Sequence, residues 1–260
     1  MPIRSPSVPS PQPASPPLAG PSPLAEPAFR RVIYAQACFG LAFSTFMILP
    51  KYLVTHGVGP GRMSLIMGTA SAVNVLATPL VSWLGRALAP QRAFLLANFI
   101  MALGAVGFAA VDPAGGGAVP YVFRAIQGLS WAVMFSSASL LVFQLAPRGR
   151  LGEAIALHTS ANLAASALAP ALAERTLAVL GPRPVFLAAT AFALLAAWLA
   201  RGIEAGRVGP TTGATAAPGQ RPGKESIVEA VGFLRFAQAR LLHCQQEFIR
   251  TADYLSPGAP

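Results

Sequence analysis

VPYVFRAIQGLSWAVMFSSASLLVFQL, residues 119–145, is the stretch that decides the fold. From Val119 to Leu145 it carries a single charge, Arg124. A helix along it, rising about 1.5 Å per residue, covers the roughly 30 Å of a bilayer's hydrocarbon. An arginine placed as Arg124 is, about five residues inside, costs about 2.5 to 3.5 kcal/mol at mid-membrane and less near an interface. Such a side chain meets a partner or a hydrated cavity. The guanidinium keeps its proton, so any coupling by Arg124 is electrostatic, through holding an anion or biasing a neighbouring acid.

Five more apolar stretches flank it: Val32 to Pro50, Ser64 to Leu84, Ala93 to Val111, Leu151 to Ala173 and Val185 to Ala200. The last reaches spanning length if it extends from Arg183 to Arg201. The chain of 260 residues is 54% apolar and 11% charged, whereas a soluble domain has about 25% charged residues. Buried helices of a soluble all-α protein would still need polar faces to meet water. These stretches have none wide enough, and the lipid bilayer is the implied solvent.

The net charge of +10 is spread through loops and tails. It forms no stripe or motif for nucleic acid. It reads instead as topology. Arg30, Arg31, Arg86, Arg92, Arg148, Arg150, Arg201 and Arg207 fall on one side, against Lys51, Arg62, Arg175 and Arg183 on the other, which is eight to four. The positive-inside rule then puts both termini in the cytoplasm of a multi-pass plasma (inner) membrane protein. Six spans require that agreement.

The last three stretches repeat the first three. A shift of 88 residues lays Gly40-Leu41 on Gly128-Leu129, Gly61-Arg62-Met63 on Gly149-Arg150-Leu151, and Asn74 on Asn162. A shift of 92 then lays Pro90 on Pro182 and Phe94-Leu95 on Phe186-Leu187. Three spans per unit force the second copy into the membrane from the opposite face. The expectation is an all-α membrane protein of six transmembrane helices in a 3+3 inverted repeat, as in secondary transporters.

Outside the spans, residues 1–29 hold ten of the 25 prolines and read as a disordered cytoplasmic tail. The six-helix domain is expected over 30–203. A flexible linker follows over 204–223, and an amphipathic cytoplasmic helix and tail over 224–260, too charged for a seventh span. Cys38 and Cys244 are the two cysteines, so there is no disulfide framework. No cofactor, metal site or catalytic residue is expected.

Polar residues divide the spans into two kinds. Gln36, Gly40 and Ser44 recur every four residues in the first. In the second, Ser64, Gly68, Ser71, Thr78 and Ser82 recur at three, four or seven, with Asn74 nearby, and His158, Asn162 and Ser166 share a face of the fifth. The third has Asn98 and the sixth Thr190. Spans one, two, four and five are thus expected to line an interior, with three and six turned to lipid.

Arg124-Ala-Ile-Gln127-Gly128-Leu-Ser-Trp-Ala132 resembles the Arg-x-x-Gln-Gly-x-x-x-Ala pattern on the fourth helix of the major facilitator superfamily. Pro147-Arg148-Gly149-Arg150-Leu-Gly152 is similar to that family's loop between helices four and five. The resemblance covers about residues 30 to 203 and implies the N-terminal six-helix half of such a transporter, with a cavity lined by helices one, two, four and five. Arg124, Gln127, Gly128, Gln36, Asn74, His158 and Asn162 become the substrate-cavity or coupling residues. Gly85, Arg86 and Arg92 stand in the family's gating loop between helices two and three, without the acidic residue of its charge latch. Pro170 keeps the proline of the helix-five antiporter motif while its glycine has become alanine, a lean toward proton-coupled efflux.

Several functions follow from these readings. One is a secondary active transporter of an unknown small-molecule substrate, half-length or truncated, working as a homodimer or with a complementary second half. A second is a membrane interaction protein that transports nothing. A third is a rhomboid-like intramembrane serine protease, with Gly128-Leu-Ser130 as Gly-x-Ser and a histidine needed to take the hydroxyl proton. His158 is on the fifth span, whereas that family would place the histidine on the sixth.

Overall fold

The computed structural model describes residues 21–111, 117–147 and 149–203. The expected linker and amphipathic helix lie outside the described residues, as does most of the expected tail. Proline sits at the first or second position of nearly every helix, where a missing N–H costs nothing and a fixed φ favours the first turn. Helix α1 spans Pro27–Ser44 and runs through a 3-10 stretch, Thr45–Ile48, into α2, Leu49–Thr55. Pro50 cannot donate to the Phe46 carbonyl four residues back, and the chain tightens there, with Leu49 N–H bonding Phe46 instead. The first helix therefore starts inside the stretch read as tail, with Phe29 fully buried.

The second expected span is two helices, α3 over Pro60–Leu76 and α4 over Thr78–Ala87, bent by 49°. Pro79 is the cause, since it has no N–H for the Val75 carbonyl. The Thr78 hydroxyl donates to that carbonyl at 2.8 Å. Helices α5 (Pro90–Ala110), α6 (Val119–Leu145), α7 (Leu151–Leu180) and α8 (Pro182–Arg201) follow. Gly181, at φ +83°, alone turns α7 into α8, a conformation that strains any L side chain. Among the described residues five helices are long and apolar enough to cross a membrane, or six if the bent pair is one span.

Helix α1 packs on α7 and α8, α3 packs on α6, and α5 packs on both α6 and α8. Phe46, Phe108 and Phe186 meet at 5.2 to 5.5 Å between ring centres in the middle of this core. Outside it, α5 exposes Leu96, Phe99 and Leu103, and α8 exposes Leu187, Leu194 and Trp198. Helix α7 also exposes Leu163, Leu168 and Leu172, and α4 has no buried residue. Apolar exposure is thus not confined to the third and sixth spans. The polar stripe of α7 turns to α1, which leaves its Leu and Ala faces outward.

Polar ties close the two ends of the helices. Arg31 donates to the Gly202 carbonyl at the end of α8. Ser22 reaches Glu153 at 3.3 Å, and Arg150 pairs with the same carboxylate at 2.9 Å. Toward the other end, Lys51 of α2 pairs with Glu174 of α7.

Candidate functional site

Arg124 lies near the start of α6 and is 3% exposed. Its Nη1 donates to Gln127 Oε1 at 2.7 Å, one turn along the same helix. Its Nε and the Gln127 amide nitrogen are buried without a partner. Among the described residues Arg124 pairs with an amide and with no carboxylate, so its positive charge is desolvated and met there by no counter-charge, an arrangement that favours an incoming anion or a newly ionised acid. Gly128, the next residue, lets α6 touch α3: a Cβ there would collide with the backbone of Ala70. Gly104 of α5 approaches less closely on the other side, where an added Cβ would lie 3.1 Å from Gln127 Cγ.

A second polar group lies between α1 and α7. Gln36, fully buried, donates through Nε2 to Asn162 Oδ1 at 3.3 Å. Two turns on, Ser44 donates to Ser166 Oγ at 3.0 Å. Gly40 sits between them, and a Cβ there would meet Ala165 Cβ at 2.9 Å and Asn162 Oδ1 at 3.1 Å. His158, one turn before Asn162, is 7% exposed, and its Nδ1 has no partner; neither has Gln36 Oε1.

The structure thus joins Arg124 with Gln127 and Gly128, and Gln36 with Asn162. Asn74 is half-buried on α3 and makes no hydrogen bond with either group. Gly85, Arg86 and Arg92 are exposed around the turn between α4 and α5. Pro170 is half-buried within an unbroken α7. Ser130, fully buried, donates to the Ala97 carbonyl of α5 at 2.7 Å. That bond ties α6 to α5 and directs the hydroxyl at a backbone carbonyl.

The sequence reading missed an aromatic wall. Phe43 of α1 lies 4.3 Å from Trp131 of α6, which stacks on Phe135 at 6.4 Å. All three are half-buried. Gln127, Trp131 and Phe135 recur every four residues, so they share a face with the polar pair. That spacing was the available signal.

The sequence profile described as Major Facilitator Superfamily matches residues 32–243. The chain belongs to the major facilitator superfamily. It is a multi-pass membrane protein of a family that consists of transporters rather than enzymes, and the serine-protease reading of Ser130 falls away with that membership. A comparison with curated proteins finds no match.

Proposed function

We propose that this superfamily member is a secondary active transporter of a small solute, with Arg124 as the charge that couples solute movement to an ion gradient. The buried Arg124–Gln127 pair carries this reading, since a guanidinium kept from water and met by no carboxylate among the described residues is costly unless its binding energy is used. Six spans form a 3+3 inverted repeat. The pairing of α1 with α7 and of α6 with α3, and the contact of α5 with α8, supports it, because each helix meets the partner that a two-fold exchange of the units requires. Gln36, Asn74, His158 and Asn162 complete the polar lining, Gly85, Arg86 and Arg92 form the gating turn, and Pro170 favours proton-coupled efflux. The open faces of α4 and α7 are covered by a second six-helix body, either a second copy or a complementary half. Both ends of the six-span domain face the cytoplasm of the plasma membrane.

The test is solute counterflow in proteoliposomes holding the full chain, with a mixed small-solute pool read by mass spectrometry. At least one solute should exchange faster than in empty liposomes. A folded, inserted protein that exchanges none would favour an interaction role. Reporter fusions after Arg31 and Gly206 should both report cytoplasm, and an external signal from either overturns the topology.

A further inference from the structure

We infer that His158, buried on α7 one turn before Asn162, is a proton-binding site, and that it carries the coupling proton of the transporter reading, on which this inference rests. Coupling needs a group that gains and loses a proton at ordinary pH, and Arg124 cannot. Helix α7 is packed by α1, α6 and α8. From α1 the titratable groups are Arg30, Arg31, Tyr34 and Cys38, with Lys51 and Tyr52 beyond in α2. From α6 they are Tyr121 and Arg124, and from α8 Arg183 and Arg201. None is a carboxylate. On α7 itself, Glu153 is engaged by Arg150 near the start, and near the far end Glu174 is engaged by Lys51 and followed by Arg175. Guanidinium, ammonium, phenol and thiol are side-chain types that titrate well above neutrality, so among the described residues the imidazole is the group in the interior turns of this seam of a type that titrates between about pH 5 and 8.

The surrounding atoms fit a proton that comes and goes. Gln36 spends its amide nitrogen on Asn162, which leaves its Oε1 as a buried acceptor without a donor. His158 Nδ1, one turn away along α7, is likewise buried and unmatched. With the ring hydrogen on Nε2, the seam holds two acceptors and no donor for either. A proton delivered by water forms an N–H bond at Nδ1 and converts one of them to a donor. Its release returns the proton to water and the ring to neutrality. Gly40 keeps the seam narrow, so protonation there adds charge where α1 and α7 touch. An ordinary structural histidine would have both ring nitrogens matched.

The decisive measurement is a nitrogen NMR titration of the full chain with labelled histidine in lipid nanodiscs, from pH 4.5 to 8.5, with His56→Gln and His243→Gln variants assigning the other two imidazoles. The His158 signal should pass from neutral to doubly protonated within that range. A ring that stays neutral throughout overturns the inference. In proteoliposomes, His158→Gln should lose accumulation driven by a pH gradient, about tenfold per coupled proton for one pH unit, read against the variant's own counterflow rate. Retained accumulation in that variant also overturns the inference. If the wild-type chain moves no solute, the transporter reading fails on its own, and the titration still judges the proton site.

Discussion

Two helix seams carry residues 88 positions apart in sequence and are built differently. Gln36 and Arg124 are 88 residues apart (124 − 36 = 88), as are Gly40 and Gly128, and Asn74 and Asn162. In the α1–α7 seam the polar residue reaches across: Gln36 bonds Asn162, and Ser44 bonds Ser166. In the α3–α6 seam it does not. Arg124 turns along its own helix to Gln127, Asn74 makes no side-chain hydrogen bond among the described residues, and the helices meet backbone to backbone at Gly128 and Ala70. A polar group committed across a seam holds helices together. One bonded only within its own helix can change partner without parting them, so the second seam combines the tighter contact with the more available charge.

The largest effect that sharpens this contrast is at Arg124. Arg124→Ala should reduce gradient-driven solute accumulation to the level of empty liposomes while insertion and monodispersity persist. Gln36→Ala should lower it only about threefold, the scale of one interhelical hydrogen bond of about 0.6 kcal/mol. Equal accumulation by Arg124→Ala and the wild-type chain would instead make the guanidinium an interface anchor and erase the contrast.

Next in size are the two glycines, compared by thermal unfolding in detergent. Gly128→Ala drives a Cβ into the Ala70 backbone, which has no rotamer to yield, and should cost about 1 to 3 kcal/mol. Gly40→Ala meets the Ala165 and Asn162 side chains at 2.9 and 3.1 Å, a strain partly offset by the roughly 0.8 to 1.0 kcal/mol that alanine gains in a helix. The first variant should melt at a clearly lower temperature than the second. Indistinguishable melting would mean that the seams are equally tight.

The smallest effect is at Ser44. A double-mutant cycle with Ser44→Ala and Ser166→Ala should return a coupling of about 0.6 kcal/mol. A coupling of zero would show that close packing, rather than hydrogen bonding, holds the α1–α7 seam.

Much of the architecture was legible because lipid imposes one requirement, a long apolar helix, on every span. Val119 to Leu145 and the start of the fifth span at Leu151 were read to the residue. The bend at Thr78 was not, although Pro79 was in view, because a run from Ser64 to Leu84 has the same apolar content straight or bent. The early start of α1 was hidden by proline-rich composition, which does not distinguish Pro27, a helix starter, from the prolines before it. At the site, the Arg124–Gln127 pair follows from three-residue spacing on one helix. That Gln36 would choose Asn162 does not, since two helices' rotation about their axes is set by the packing of glycines and alanines, which hydropathy does not resolve. The aromatic wall was missed for the same reason, as Phe43 and Trp131 belong to different helices.

The bend between α3 and α4 separates two mechanical duties. In lipid, a carbonyl released by proline is an open polar group, and leaving it bare costs several kcal/mol. The Thr78 hydroxyl covers the Val75 carbonyl within the same turn, so the elbow needs neither water nor another helix to complete it. The segment after it, ending in Gly85 and Arg86, has no buried residue to anchor it, whereas the segment before it rests on α6 through Ala70. The turn after α4 can be re-aimed about Pro79 while the Gly128 contact stays closed, which makes α4 a lever and α3 its mount.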